Sequence, residues 1–265
     1  MQAKTSPAAK IFLTIVIFIL YAPIIYLVIY SFNSGGSMSS FEDFTLDWYK
    51  ELLGDTRLLI IVLNTLVIAL LSALFATIIG TFGAIWIYHL RRSKSTIIGL
   101  NNVLMVSPDV IIGASFLILF TIAGIRLGFY SVLLSHIAFC IPIVVLMVLP
   151  KLIEMNPTLI DAARDLGATR IGVFTKVIIP YITPGIFAGF FMALTYSLDD
   201  FAVTFFVTGN GFSTLSVEIY SMARQGISLH INALSTILFF FTLILVGIYY
   251  LISQRGGIKL GGLRR

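Results

Sequence analysis

The chain has 265 residues, of which 58% are hydrophobic and only 11% are charged. Soluble domains carry about 25% charged residues, so this composition excludes an ordinary water-soluble protein and favours one that spans a membrane. The formal net charge is +5. The basic residues lie in short loops between apolar runs, which is typical of topology signals and not of a nucleic-acid-binding surface.

Six apolar runs are long enough to cross ~30 Å of hydrocarbon, which needs roughly 20 helical residues. Each should be a helix, because backbone groups in lipid must be hydrogen-bonded within the segment. The predicted fold class is an all-α membrane protein with a single transmembrane domain over residues 1–265. The spans are predicted at 11–32, 59–88, 98–123, 130–149, 184–207 and 233–252.

The basic residues predict the orientation of these spans. Thirteen of the 17 are at the N-terminus, at the C-terminus or in the loops after spans two and four, which lie on one side of the membrane. The other side carries only Lys50, Arg57, Arg126 and Arg224. The positive-inside rule then places both termini in the cytoplasm. The first run is too long for a signal-peptide core and lacks an Ala-x-Ala-like site, so it predicts an uncleaved span.

Small residues recur every four positions in the second span: Ser72, Ala76, Gly80 and Ala84. Such a stripe allows close approach of another helix in lipid, and we expect it to pack within the chain. The single cysteine, Cys140, lies inside the fourth span and excludes an intrachain disulfide and a zinc site built from thiolates. No metal site and no cofactor bound to this chain are predicted.

Asp109 follows Pro108 inside the third run. Proline lacks an amide hydrogen and breaks the local helix, and irregular backbone at membrane depth is tolerated where it lines a cavity. An intramembrane carboxylate is costly, so it is expected to face a bundle interior or a water-filled path. The structural alternative is a protonated aspartate bonded to a backbone group, or an acid at the membrane interface.

A polar segment, residues 161–180, separates spans four and five on the cytoplasmic side. Asn156 is a predicted N-cap for a short helix over 158–166, and Gly167 lies where a left-handed C-terminal cap would fall. Thr169 can cap a second helix over 170–179, which Pro180 is expected to end. We interpret this charged, structured loop as a docking surface. The alternative is an amphipathic linker that rests on the membrane.

Two adjacent acids, Asp199 and Asp200, lie in the fifth run. Neighbours on a helix point about 100° apart, so one is expected to face the path and the other a helix or the interface. Tyr196 shares a face with both. Asp109, Tyr196, Asp199 and Asp200 are the candidate pathway residues, and an aromatic ring beside carboxylates suits an ammonium ligand. Beyond them, residues 213–224 predict a short amphipathic outer helix.

The loop resembles the EAA loop of bacterial ABC importer permeases, which reads Glu-Ala-Ala, three residues, Gly, nine residues, Ile, any residue, Leu-Pro. The matching positions are Asp161, Ala162, Ala163, Gly167, Val177, Ile179 and Pro180. Aspartate replaces glutamate, and valine and isoleucine replace isoleucine and leucine, so charge and apolar shape are kept. The resemblance implies a type I permease with a coupling helix seated in a cleft of a cytoplasmic ATPase.

From about residue 22 to 251 the chain also resembles the second permease subunit of the spermidine/putrescine permease family. The similar segments are Phe32-Asn33-Ser34, Ser107-Pro108-Asp109, Leu198-Asp199-Asp200, Phe206-Val207-Thr208-Gly209 and Val217-Glu218-Ile219-Tyr220-Ser221-Met222. This implies polyamine import across the bacterial inner membrane. The implied partners are a homologous permease, two copies of an ABC ATPase that holds ATP and Mg²⁺, and an extracytoplasmic polyamine-binding protein that meets the outer helix.

The chain has no Gly-Lys dipeptide and therefore no Walker A loop, which agrees with a non-enzymatic subunit that has no catalytic residues. Importers of ferric iron or thiamine are alternatives within the class. Paired aspartates also occur in intramembrane aspartyl proteases, but their Gly-x-Gly-Asp signature is absent. A self-contained ion-coupled transporter would favour inverted repeats, and none is evident.

Overall fold

A computed structural model describes residues 6–90, 92–225, 229–240 and 243–244. Regular structure in those ranges is helical apart from one isolated bridge between Asn33 and Phe44, so the all-α prediction is confirmed. In chain order the helices are α1 Pro7–Tyr30, α2 Asp47–Gly54, α3 Thr56–His89, α4 Lys94–Val106, α5 Asp109–Ile122, α6 Phe129–Glu154, α7 Thr158–Asp165, α8 Arg170–Val173, α9 Ile179–Asp199, α10 Ala202–Val207, α11 Leu215–Gln225 and α12 Leu229–Phe240.

The chain divides into two compact units. One comprises Met1–Leu58 with Ile219–Arg265, and the other is Leu59–Glu218. The single domain over residues 1–265 stays a prediction. All the candidate pathway and docking residues belong to the second unit, so the packing of that unit decides how they are positioned.

In the first unit, Asn33 organises the loop that follows α1. Its side chain is fully buried and uses both ends of the amide. The amide nitrogen donates to the carbonyls of Ser37 and Ser40, and the amide oxygen accepts from the backbone N–H groups of Gly35 and Glu42. The Asn33 carbonyl accepts a hydrogen bond from the Trp48 indole at 2.8 Å. A buried asparagine with its amide satisfied in this way fixes the course of the loop.

In the second unit, α6 is the central helix, and glycines let α3 and α9 approach it closely. A Cβ atom at Gly80 of α3 would lie 2.7 Å from Cβ of Val144, and one at Gly189 of α9 would lie 3.2 Å from Cγ1 of the same valine. At Gly185 the added Cβ would lie 2.9 Å from the Met147 carbonyl oxygen. The stripe of small residues on α3 therefore packs within the chain, as predicted.

Three predicted spans are confirmed as continuous apolar helices: α1, α3 and α6. The third predicted span, 98–123, is instead two helices, α4 and α5, that meet at an angle of 101°. The break falls at Ser107-Pro108, where both residues are extended. Pro108 lacks the amide that would continue the helix, so a change of direction there costs few hydrogen bonds.

The fifth predicted span, 184–207, has different bounds. Helix begins at Arg170 and continues to Asp199, and residues 202–207 form the separate helix α10. Asp200 adopts an extended backbone conformation with ψ 124°, which ends α9. The apolar run continues past this break, so hydropathy alone could not locate it.

The sixth predicted span, 233–252, falls largely outside the described residues; its first part lies in α12. Within the described ranges, four helices are long and apolar enough to cross a membrane, or five when the bent pair α4 and α5 forms one span. The structure thus positions two features in the second unit: the loop around α7, and the breaks before α5 and after α9.

Candidate functional site

The helix α7 is capped at both ends as the sequence predicts. Asn156 Oδ1 accepts the Thr158 N–H at 3.1 Å. At the other end Gly167 has φ 83°. The Gly167 N–H donates to the Arg164 carbonyl at 2.8 Å, and the Ala168 N–H donates to the Ala163 carbonyl at 3.0 Å. These two bonds form a Schellman motif, which a residue with a left-handed backbone at position 167 completes.

The surface of α7 is open. Ala162 is exposed and Ala163 is half-buried, and both side chains are small, so a partner can approach this part of the helix closely. Leu166 is 89% exposed and Ile171 is 75% exposed, which leaves two large apolar side chains on a polar loop. Asp161 lies 3.8 Å from Arg164, but both groups are solvated, and such pairs contribute little to stability. The loop therefore presents a slim, capped helix flanked by apolar side chains.

Thr169 caps α8 as predicted, accepting the Gly172 N–H at 3.1 Å. The expected end of this second helix at Pro180 is wrong. A π-helical turn, Phe174–Ile178, joins α8 to α9, and Pro180 lies in the first turn of α9. The wider π turn and the position of the proline near a helix start accommodate the missing amide. The loop is thus continuous with the fifth span, and the Phe174 ring stacks on Phe82 of α3 with centroids 6.4 Å apart.

Asp109 is the first residue of α5, directly after the break, and it is exposed. A carboxylate is favourable at this end of a helix, where the backbone N–H groups are unpaired. Its Oδ1 accepts a hydrogen bond from the Tyr196 hydroxyl of α9 at 3.0 Å. The Tyr196 ring packs edge-on against Phe139 of α6, with centroids 5.3 Å apart. The structure therefore brings together two of the four candidate pathway residues.

The adjacent acids Asp199 and Asp200 have different environments. Asp199 ends α9 and is exposed. The Asp200 side chain is only 6% exposed, and it caps α10. Its Oδ2 accepts the Thr204 N–H at 2.8 Å and the Thr204 hydroxyl at 2.7 Å, and its Oδ1 accepts the Val203 N–H at 3.3 Å. Asp200 is thus engaged by the backbone of the next helix, whereas Asp199 is turned outward.

Behind Asp200 lies His136 of α6, whose side chain is 1% exposed. Its Nδ1 lies 2.7 Å from the Ser197 hydroxyl, and its Nε2 lies 2.8 Å from the Thr204 hydroxyl. The Asp200 carboxylate is farther from Nε2, at 3.5 Å, so Thr204 is the direct partner of the ring. Ser72 of α3 extends the chain of bonds by donating to Ser197 at 2.9 Å. We call Ser72, His136, Ser197, Asp200 and Thr204 the His136 network.

A family model described as the binding-protein-dependent transport system inner membrane component matches residues 76–256 of the chain. The chain belongs to this family. It is similar to the spermidine/putrescine transport system permease protein PotC of Escherichia coli (strain K12), with 40% identity over 244 residues and 92% of each chain covered. It is also similar to the putrescine transport system permease protein PotI of that strain, with 36% identity over 83% of this chain and 81% of the relative.

Among solved structures, the chain is similar in fold to one from a bacterial ABC transporter involved in the import of the acidic polysaccharide alginate. The TM-score is 0.71 at 20% identity, and 94% of each chain is covered. At that identity the likeness supports the permease fold alone. Together with the apolar helices, family membership makes the chain a multi-pass membrane protein and a transport component.

For this permease, sequence reasoning singled out the intramembrane acids and missed His136. The signal was available, because a histidine inside an apolar run is as unusual as an aspartate there. His136 is one of only three histidines in the chain. Its partners could not be found by inspection, since Ser197 and Thr204 lie 61 and 68 positions away.

Proposed function

We propose that the chain is one permease subunit of an ATP-driven importer that moves polyamines, such as spermidine and putrescine, across the bacterial inner membrane. The observation that carries the proposal is the hydrogen bond between Asp109, at the break before α5, and Tyr196 of α9. The same helix ends in the exposed Asp199. Relatives named for spermidine and putrescine transport, one of them 40% identical over 92% of the chain, support the same substrate class.

The chemistry of these residues suits a linear polycation. Carboxylates within a membrane protein attract ammonium groups strongly, because the surroundings screen charge less than bulk water does. The face of an aromatic ring adds cation–π attraction. Asp109 and Asp199 supply separate negative charges on α5 and α9, and Tyr196 supplies a ring next to one of them. A substrate with several spaced ammonium groups can engage both acids in turn. Asp200 serves as the cap of α10.

The loop around α7 couples the chain to ATP hydrolysis. In this proposal, two copies of a cytoplasmic ABC ATPase bind ATP and Mg²⁺, and one copy receives α7 in a surface cleft. The small side chains of Ala162 and Ala163 allow close seating, and Gly167 ends the helix. Asp161 and Pro180 mark the two ends of the loop. The continuous helix from Arg170 to Asp199 then transmits movement of the loop to the pathway acids. No covalent chemistry is assigned to this chain.

The remaining partners follow from the proposed orientation. The positive-inside rule places both termini and α7 in the cytoplasm. The amphipathic helix α11 then lies outside, where a loaded polyamine-binding protein docks. A homologous second permease completes the path, and membrane lipid covers the exposed apolar helices. Closure of the ATPases rocks the helices between inward and outward openings.

The test is reconstitution of the chain with its second permease, the ATPase and the binding protein in proteoliposomes. Stimulation of ATP hydrolysis is measured with spermidine, putrescine, thiamine and ferric iron. Polyamines are expected to stimulate hydrolysis only when the binding protein is present. Stimulation by thiamine or iron without stimulation by polyamines would reject polyamines as the substrate and leave the ATP-driven mechanism in place. Import that continues without ATP would reject the mechanism itself.

A further inference from the structure

His136 joins helices that are far apart in the sequence. Through Ser72, Ser197 and Thr204 the His136 network connects α3, α6, α9 and α10, and it ends on Asp200, at the break that follows α9. We propose that His136 is a positioning residue for the substrate path: it holds this break in the geometry that leaves Asp199 exposed. The inference rests on the proposed function for its biological meaning, and its geometric part can be tested independently.

Both nitrogens of the imidazole have partners. Nδ1 lies within hydrogen-bond distance of the Ser197 hydroxyl, which is also bonded to Ser72. The Thr204 hydroxyl donates to the Asp200 carboxylate, so its oxygen accepts from Nε2. A network in which each buried group has a partner holds one conformation, whereas a partly satisfied network is costly.

The first route from His136 to the path runs through Asp200. Thr204 is held by His136 on one side and binds Asp200 with both its hydroxyl and its N–H on the other. With its carboxylate fixed inward by these bonds, Asp200 keeps the extended backbone that ends α9. The preceding residue, Asp199, is exposed at the end of α9. Without the anchor, the helix could continue past Asp199, and the side chains that follow would then lie against it and cover it.

The second route runs through ring packing and α10. The His136 ring lies 4.8 Å from the Phe139 ring, which packs on Tyr196, the residue that donates to Asp109. In addition, α10 packs closely on α5. A Cβ atom at Gly113 of α5 would lie 3.0 Å from the Cα atom of Val203, next to Thr204. Movement of α10 therefore displaces the helix that begins at Asp109.

An experiment on solvent access tests this proposal directly. The chain has one cysteine, so Cys140→Ala gives a cysteine-free background. Asp199→Cys is introduced there, and the assembled importer in nanodiscs is treated with a cationic, water-soluble methanethiosulfonate. The labelling rate is followed by the intact mass of this chain. Adding His136→Phe removes the ring nitrogens, and it is expected to slow labelling about tenfold, as loss of buried hydrogen bonds shifts the population.

Two variants separate positioning from general core damage. His136→Gln offers one acceptor and one donor, as the neutral ring does, and should restore most of the labelling rate. Ser135→Ala is the matched control. Ser135 is buried on the same helix, but its hydroxyl bonds only to carbonyls of α6, so its loss should leave the rate unchanged. An equal labelling rate in His136→Phe and the background chain would overturn the proposal.

If His136→Phe does not assemble, Thr204→Val decides the matter. It removes the hydroxyl that links His136 to Asp200, and it keeps the backbone N–H that also binds Asp200. Slower labelling supports the proposal, and an unchanged rate overturns it. Spermidine uptake by the importer that keeps the native Asp199 is measured as a separate arm. If the labelling rate depends on His136 but this importer takes up no spermidine, the polyamine path is rejected and the positioning role of His136 stands.

Discussion

The loop around α7 and the acid site around Asp200 are both built on capped helix ends, yet they are built differently. The α7 caps use partners within five positions of one another, and the helix is open to solvent. The Asp200 cap is buried, and its support comes from Ser72 and His136 on other helices. A locally encoded helix can dock on and off a partner without disturbing the bundle. A cap held by tertiary contacts keeps its geometry while the helices move.

The comparison predicts that two replacements of aspartate by alanine differ greatly in their effect on stability. Asp200→Ala removes the acceptor of three hydrogen bonds and leaves Thr204 and His136 incompletely paired, which should destabilise the chain by about 2–4 kcal/mol. Asp161→Ala removes only a solvated pair and should change stability by less than about 0.5 kcal/mol. Thermal unfolding of the purified importer, monitored by size-exclusion chromatography, measures both changes in stability. Equal melting temperatures would remove the distinction between the two regions.

Gly167→Val should produce the next largest effect, and it should act on coupling instead of folding. A Cβ atom at this position meets nothing within 4 Å, so the cost comes from the backbone, where φ is 83°. A left-handed backbone costs about 1–2 kcal/mol for L residues, so the α7 cap should open and polyamine-stimulated ATP hydrolysis should fall roughly twentyfold. Asparagine tolerates this conformation, so Gly167→Asn should retain most of the activity. Full activity in Gly167→Val would exclude a docking role for the capped helix.

Asp199→Asn sharpens the comparison on the side of the path. The side chain is exposed, so assembly should be normal. Loss of one carboxylate–ammonium attraction of about 1–2 kcal/mol should lower spermidine uptake about tenfold. Radiolabelled uptake into proteoliposomes measures the effect. The control is Asp43→Asn, an exposed acid in the loop before α2 that belongs neither to the path nor to the loop around α7. Unchanged uptake in Asp199→Asn would take this residue out of the path.

Tyr196→Phe should have the smallest effect. It removes the hydroxyl that binds Asp109 and keeps the ring that packs on Phe139. One hydrogen bond to a carboxylate is worth about 1 kcal/mol here, so uptake should fall about threefold to fivefold. Tyr196→Leu removes the ring as well and should lower uptake further. If both variants transport equally well, the ring does not contact the substrate.

The same contrast explains what could be predicted from the sequence. The cap residues Asn156, Gly167 and Thr169 act on neighbours in the chain, so local rules predicted them. Pro180 was misread, because the π turn before it and its place in the first turn of α9 let the helix continue. The bonds Tyr196–Asp109 and Ser72–Ser197 span 87 and 125 positions, and no local pattern reveals such pairs. Hydropathy likewise passed over the break at Asp200, since apolar residues continue on both sides.

The most direct test of the account is the number of ATP molecules hydrolysed for each spermidine imported by the reconstituted transporter. If the loop supplies power and the acids guide cargo, Gly167→Val should lower hydrolysis and uptake together and keep their ratio. Asp199→Asn should lower uptake while the binding protein still stimulates hydrolysis, so the ratio should rise. A ratio that rises in Gly167→Val, or that stays constant in Asp199→Asn despite reduced uptake, would contradict the assignment of separate roles to the two regions.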